Sequence, residues 1–484
     1  MDYEVIICFE THVELSTATK LFCSCLNEYS EKPNSNICPI CAGHPGTKPV
    51  LNKKAVEYCI MAGLALNCHI NNYAYFERKN YFYPDIPKGY QVSQGSVPFC
   101  EFGSLEIIGD DGNPYNVGIR RIHLEEDAGK LIHSSDTTAS YIDYNRSSVP
   151  LIEIVCDHER NPVRSVQEAK QYLKKLQSIL RYIGVSECNI EEGHFRSDVN
   201  ISVRKAGSTS FNNRCEVKNM ASFKAIVEAI EFEEKRQIKL IENGRENNQE
   251  TRLFDEDKGV TIPMRNKENA HDYRYFPDPD LVEIRLDDEY IESLRQRLPE
   301  LGDSRCNRYI KEYGIAESDA TIITKDRKLS EFFEKTLEFG TNPKLLSKWM
   351  VRDLLKVLKH SDVTIDSCHI FPKNVAKLIS LVEDKIITAN ISKEMLQEMI
   401  RNEVDIDEFI KTRNLSSIND DEFIVSKILE VFAEQIVSVA KVKENPSDPA
   451  LNFLIGQVIK KTAGKADAKK VKELLEKAVT GLLQ

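Results

Sequence analysis

Apolar and polar residues alternate strictly near the start of the chain. Val5, Ile7, Phe9, Thr11, Val13 and Leu15 fall on one side, and Glu4, Cys8, Glu10, His12 and Glu14 on the other. Period two places successive side chains on opposite faces, so this run predicts a half-buried strand with one polar face. Val199, Ile201 and Val203 alternate in the same way with Asp198, Asn200, Ser202 and Arg204, and within residues 214–219 Glu216 and Lys218 share a face. Helical periodicity takes over at 166–183, closed by Gly184, and at 223–241, closed by Gly244. Strand-like runs, turn residues and aromatics characterise residues 1–294. Leu298-Pro299-Glu300-Leu301-Gly302-Asp303 reads as a linker, helical spacing fills 303–412, and further short helices follow from 413. The pattern therefore predicts three domains, 1–294, 295–412 and 413–484, in keeping with roughly 100–200 residues per domain.

Composition narrows the class. With 41% hydrophobic and 29% charged residues, a packed core is expected and global disorder is not. The first residues lack the basic and apolar regions of a signal peptide and the Arg-rich character of a transit peptide. No run approaches the ~18 apolar residues of a membrane helix. A soluble, cytoplasmic protein with no membrane partner is expected. Thirteen cysteines, an odd number, argue against a disulfide framework. The net charge of −11 speaks against broad non-specific nucleic-acid binding. Residues 460–477 run the other way, with seven lysines against three carboxylates.

Four stretches carry candidate chemistry. Cys23-x-Cys25 and Cys38-Pro39-Ile40-Cys41 present paired thiols on two loops, the pattern of a closed structural zinc site; four unligated cysteines or a redox pair are the alternatives. His123-Leu124-Glu125-Glu126-Asp127-Ala128-Gly129 is, taken alone, a solvated acidic turn. Its meaning changes beside Glu10, His12, Asp198, Asn200, Glu216 and Lys218 on polar strand faces, with Glu191-Glu192 close by. Several carboxylates on one sheet face are costly unless cations neutralise them. Oxygen ligands with one imidazole suit Mg²⁺ or Mn²⁺. Such a face can run phosphoryl transfer without a P-loop, and neither a P-loop nor a dinucleotide-binding glycine motif occurs here. Residues 78–90 form an aromatic run in which Lys79 and Lys88 are available to an anion; core and functional loop both fit. Residues 271–280 read as a turn with Arg274 paired to Asp272 or Asp278, or as part of a site.

Taken in order, these motifs resemble the B subunits of tRNA-dependent aspartyl/glutamyl amidotransferases. The resemblance runs from Glu10-Thr11-His12-Val13-Glu14-Leu15 and the cysteine pairs through Lys79-Asn80-Tyr81-Phe82-Tyr83-Pro84-Asp85 and His123 to Lys130. It continues with Asp143-Tyr144-Asn145-Arg146, the apolar run Val149-Pro150-Leu151-Ile152-Glu153-Ile154-Val155, and Arg196-Ser197-Asp198-Val199-Asn200-Ile201-Ser202. Glu216-Val217-Lys218-Asn219, His271-Asp272-Tyr273-Arg274-Tyr275-Phe276-Pro277 and the tail motif Phe453-Leu454-Ile455-Gly456-Gln457-Val458 complete it. Cys8-Phe9 departs from the family's usual Gly-Leu, and residues 444–449 are shorter than usual.

The resemblance implies an α+β protein: an antiparallel-sheet cradle domain like that of glutamine synthetase and guanidino kinases, then a helical domain and a small helical, tRNA-binding tail. It implies ATP-dependent phosphorylation of the side-chain carboxylate of misacylated Glu-tRNA(Gln) or Asp-tRNA(Asn), followed by amidation with ammonia. Glu10, His12, Glu125, Asp198 and Glu216 are then the expected Mg²⁺ (or Mn²⁺) ligands, with Glu125 preferred within its acidic triplet. Lys79, Lys88, Arg146 and Lys218 are expected on the carboxylate, phosphate or ammonia path, and Cys23, Cys25, Cys38 and Cys41 on Zn²⁺. No amidase motif is present, so ammonia is expected from a partner amidase (A) subunit, braced by a small C subunit in a heterotrimer. A stand-alone ATP-dependent synthetase and a zinc-stabilised RNA scaffold are the competing classes.

Overall fold

A computed structural model describes residues 3–134, 139–208, 210, 212–266, 272–413, 415, 420–445 and 448–481. The chain divides into two compact units, Met1–Leu301 and Gly302–Gln484. The first is built on a nine-stranded sheet. Its strands are β1 (Tyr3–Glu14), β2 (His69–Ile70), β3 (Cys100–Ile108), β4 (Pro114–Glu126), β5 (Pro150–Cys156), β6 (Phe195–Lys205), β7 (Cys215–Lys218), β8 (Glu250–Asp255) and β9 (Val260–Asn266), in spatial order β9-β8-β7-β6-β1-β5-β4-β3-β2. Neighbours run antiparallel except β7 and β8, which are parallel. That exception to the all-antiparallel expectation follows from the connection between them: parallel strands need a long crossover, here the helix Phe223–Glu242.

The alternation in β1 holds. Ile7, Phe9, Thr11 and Val13 are fully buried. Phe9 stacks on Tyr172 of helix Val166–Tyr182, ring centroids 5.4 Å apart. Both expected helices start at serine caps. Ser165 Oγ accepts from the Glu168 N–H at 3.1 Å, and Ser222 Oγ from that of Ala225 at 3.0 Å. Each aliphatic or aromatic side chain buried under the sheet contributes about 1.5–3 kcal/mol.

One end of the sheet is closed by charge. Glu233, on the crossover helix and fully buried, accepts from Arg236 Nε at 2.9 Å, hydrogen-bonds Thr261, and lies 3.2 Å from Arg252 Nε. Arg252 also bridges to Glu250 at 2.8 Å. Replacing Arg252 with Met leaves two buried carboxylates short of a partner. Urea denaturation of the full chain is expected to show a loss of about 2–3 kcal/mol.

The second unit holds only helices among its described residues, from Gly302–Tyr313 to Ala468–Val479. They pack into two apolar cores, one including Tyr309, Phe333, Leu346 and Met395, the other Ile424, Ile428, Leu454, Val471 and Leu475. The basic stretch is partly neutralised. Lys461 pairs with Glu430 at 3.2 Å and Glu434 at 2.6 Å, and Lys470 pairs with Asp421. Among the described residues no helix is long and apolar enough to cross a membrane, and all thirteen cysteines are free.

Candidate active site

Strand register gathers the acidic motifs onto one face. Glu10 lies opposite Asp198, His12 opposite both Arg196 and Glu153, Glu153 opposite His123, and Asn200 opposite Glu216. Directly opposed residues project to the same side, so five strands contribute side chains to one polar surface.

Two clusters form there. In the first, single ligand atoms of His12, Glu125 and Glu153 all lie within 4.8 Å of one another. His12 Nε2 is 3.7 Å from Glu125 and 3.9 Å from Glu153. Beneath them His123, almost fully buried, places Nε2 at 2.9 Å from Glu153 and 3.4 Å from Glu125. Ser93 Oγ donates at 2.8 Å to Glu125 Oε2, the oxygen that also faces His123, leaving Oε1 toward His12. Burial would lower the basicity of His123, yet the facing Glu153 and Glu125 hold its pKa at about 9. Burial opposes ionisation of Glu125, but the His123 hydrogen bond keeps its carboxyl below the usual range.

The second cluster joins Glu10, Asp198 and Glu216. Lys218 Nζ sits 2.5 Å from Asp198 and 2.9 Å from Glu216, Asn200 donates to Glu10 at 3.0 Å, and Thr251 donates to Glu216 at 2.9 Å. Burial, then Glu153 and Glu216, push the Glu10 carboxyl up, so Glu10 feels both clusters at once. The five expected ligands thus share a face but not one site: His12 and Glu125 group with Glu153, while Glu10, Asp198 and Glu216 stand around Lys218. The first donor set, two carboxylates with one imidazole, fits Mg²⁺ or Mn²⁺, whereas the second is already bridged by the Lys218 ammonium and does not bring three ligand atoms within 4.8 Å of one another.

A three-stranded sheet of Glu77–Asn80, Tyr90–Ser93 and Phe276–Pro277 abuts the end of β4. It carries Lys79, whose ammonium lies over Tyr273 at 5.1 Å and Tyr81 at 5.8 Å. Burial would lower its pKa, but Glu125 and Glu153 raise it, so Lys79 stays cationic beside the first cluster. Lys88 bonds Glu126, which also accepts from the Val92 N–H at 2.9 Å. Glu126 is therefore turned to the loop rather than to the face that carries His12, Glu125 and Glu153. Arg146 braces the turn after β4, donating to the Ala128 carbonyl at 3.1 Å and the Gly129 carbonyl at 2.8 Å, and lies 3.4 Å from Asp127. Residues 272–280 correct one expectation. Asp278 pairs with Arg78 at 2.8 Å, and Asp272 accepts from the Arg274 backbone N–H at 2.9 Å, so neither anticipated Arg274 ion pair forms. His271, which opens that motif, lies outside the described residues.

The four cysteines also converge, with sulfurs all within 4.8 Å of one another; Cys25 and Cys38 lie 4.0 and 3.9 Å from Cys41. A zinc tetrahedron with bonds of about 2.3 Å has sulfur–sulfur edges of roughly 3.8 Å, so the set is gathered close to the spacing that Zn²⁺ requires. The Cys38 N–H donates to Cys41 Sγ at 3.2 Å. A hydrogen bond from Cys23 holds the Cys41 thiol down to about 5, with the Cys38 amide and Lys20 acting the same way against burial. The knuckle presses on the Lys88 loop: a Cβ on Gly43 (φ +70°) would lie 2.9 Å from the Pro87 carbonyl.

Glu153 was not anticipated as a ligand, and His123, part of the acidic motif, was not singled out within it. Glu153 is the lone charge in the apolar run of β5, a signal that needs the β1–β5 register to be read.

Residues 5–292 match the family described as GatB/GatE catalytic domain, and residues 331–479 the family described as GatB domain. The B subunit of the aspartyl/glutamyl-tRNA(Asn/Gln) amidotransferase of Caldicellulosiruptor saccharolyticus is 47% identical over 478 residues, 98% of either chain. Those of Thermodesulfovibrio yellowstonii and Thermoanaerobacter pseudethanolicus are each 45% identical, covering 99% of this chain and 99% and 100% of theirs. Both acidic clusters fall inside the first matched stretch, and the chain belongs to the family of aspartyl/glutamyl-tRNA(Asn/Gln) amidotransferase B subunits.

Proposed function

We propose that this chain activates and amidates the side-chain carboxylate of glutamyl or aspartyl groups misacylated onto tRNA(Gln) or tRNA(Asn), as a cytoplasmic subunit of a heterotrimeric ligase. The observation that carries the reading is the meeting of His12, Glu125 and Glu153 on one polar sheet face, with Lys79 of the adjoining three-stranded sheet held cationic beside them. A carboxylate is a poor electrophile and an acyl phosphate a good one. Making the acyl phosphate joins two anions, so the site must supply positive charge where charge crowds. Glu10, His12, Glu125, Glu153, Asp198 and Glu216 would hold Mg²⁺, which supplies charge neutralisation for ATP when bound. Lys79 and Lys218 orient the carboxylate and the transferred phosphoryl group. The carboxylate oxygen attacks the γ-phosphorus and ADP leaves. Ammonia then attacks the acyl carbon, the C–N bond forms, phosphate departs with the C–O electron pair, and one proton is released.

Lys88, Glu126 and Arg146 form the rim through which ammonia from an amidase partner would enter, and a small third subunit would brace the pair. Zn²⁺ on Cys23, Cys25, Cys38 and Cys41 would be structural. The first unit is read as the cradle fold of residues 1–294, and residues 295–412 as a helical domain. The tail, 413–484, presents exposed Lys460, Lys469 and Lys477 to tRNA. The test is an amidation assay with each misacylated tRNA. The purified chain is expected to amidate with ammonium and ATP, and to use glutamine only when an amidase subunit is added. Deamidation of glutamine by the chain alone would overturn the partner assignment and favour a stand-alone synthetase.

A further inference from the structure

Lys20 is a lysine with no exposed surface. Burying an ammonium is costly without an anionic partner. Its Nζ lies 3.7 Å from Cys41 Sγ and donates to the Tyr144 carbonyl at 3.2 Å. The segment around it is fixed on both sides. The Lys20 N–H donates to the Cys25 carbonyl at 3.0 Å, and the Leu21 N–H to the Ser148 carbonyl at 2.8 Å. Further bonds tie the knuckle to the same loop: Ser147 Oγ to the Cys41 carbonyl at 2.9 Å, the Asn36 N–H to Asn145 Oδ1 at 2.9 Å, and Asn145 Nδ2 to the Lys32 carbonyl at 2.8 Å. That loop carries Arg146, which grips the turn following Glu125 and Glu126.

We infer that Lys20 is the internal counter-charge of the four-cysteine centre and the strut that couples it to the Arg146 loop. Four thiolates around a divalent cation leave an excess of two negative charges. A buried ammonium beside Cys41 Sγ offsets part of that excess where water cannot. The same ammonium holds the Tyr144 carbonyl, so charge balance at the knuckle and loop position next to the active site depend on one side chain. Lys20 is a positioning residue, since it touches neither substrate nor reacting atoms.

The inference rests on the tetrathiolate reading of the knuckle, and the experiment separates the two. The full chain is loaded with zinc, and release to a colorimetric chelator is timed for wild type, Lys20→Arg, Lys20→Gln and Lys20→Met, with circular dichroism as the folding control. Wild type and Lys20→Arg are expected to release one zinc slowly. Lys20→Met and Lys20→Gln should release it about ten-fold faster or more, the scale of a lost charge-assisted contact. Should Lys20→Met not fold, the Gln and Arg variants decide, because Gln keeps a donor for Tyr144 but no charge. Release from Lys20→Gln as slow as from wild type overturns the counter-charge role. A wild-type chain that takes up no zinc overturns the tetrathiolate reading itself.

Discussion

Exchanging Glu125 for Gln is expected to lower tRNA-dependent ATP cleavage on the order of a thousand-fold while changing tRNA affinity little. The substitution keeps the volume of a side chain that is 3% exposed. It also keeps an oxygen able to accept from Ser93. What it removes is a negative charge and a ligand oxygen facing His12, together with one of the two ionic partners of His123. Two imidazole-bearing residues would then face Glu153 alone, and the three-ligand group would be reduced to two. Glu126→Gln provides the contrast. Its carboxylate is engaged by Lys88 and the Val92 amide, so the loss there should fall on ammonia use rather than on ATP cleavage. ATP cleavage by Glu125→Gln at the wild-type rate would contradict the ligand assignment and favour an RNA scaffold without catalysis.

The second large effect concerns the cysteines. A Cys38→Ser/Cys41→Ser chain is expected to bind no zinc, against one ion per wild-type chain, by atomic absorption. Structural zinc contributes its binding free energy to folding, so the melting temperature of the first unit should fall by roughly 10 °C. The damage should not stay local, because the knuckle contacts the Lys88 loop through Gly43 and the Arg146 loop through Ser147. Full zinc retention in the double variant would contradict the site.

Much of this fold is legible in the sequence itself. Period-two alternation locates β1 and β6, helical periodicity with closing glycines locates two helices to within a residue or two, and cysteine spacing points to one cluster. What alternation cannot state is which strand neighbours which. Glu153 stays hidden for that reason: within β5 it is one acid among apolar residues, and only the pairing of His12 with Glu153 makes it a member of the site. The split of the expected ligands into two clusters depends on Lys218 lying between Asp198 and Glu216, a side-chain position that no spacing rule supplies. The parallel β7–β8 pair escapes sequence reading because a strand carries no local mark of its partner's direction.

The central place of β1 has a consequence for how the protein is made. Its two neighbours, Pro150–Cys156 and Phe195–Lys205, are encoded far downstream. At about 5–20 residues per second, the ribosome delivers β6 roughly 10–40 seconds after β1 has emerged. Until Pro150–Cys156 and the helix carrying Tyr172 have emerged, Ile7, Phe9 and Val13 have no native cover. Through the early part of synthesis the nascent chain therefore carries its future central strand as an open, sticky edge, a natural point of contact for a chaperone.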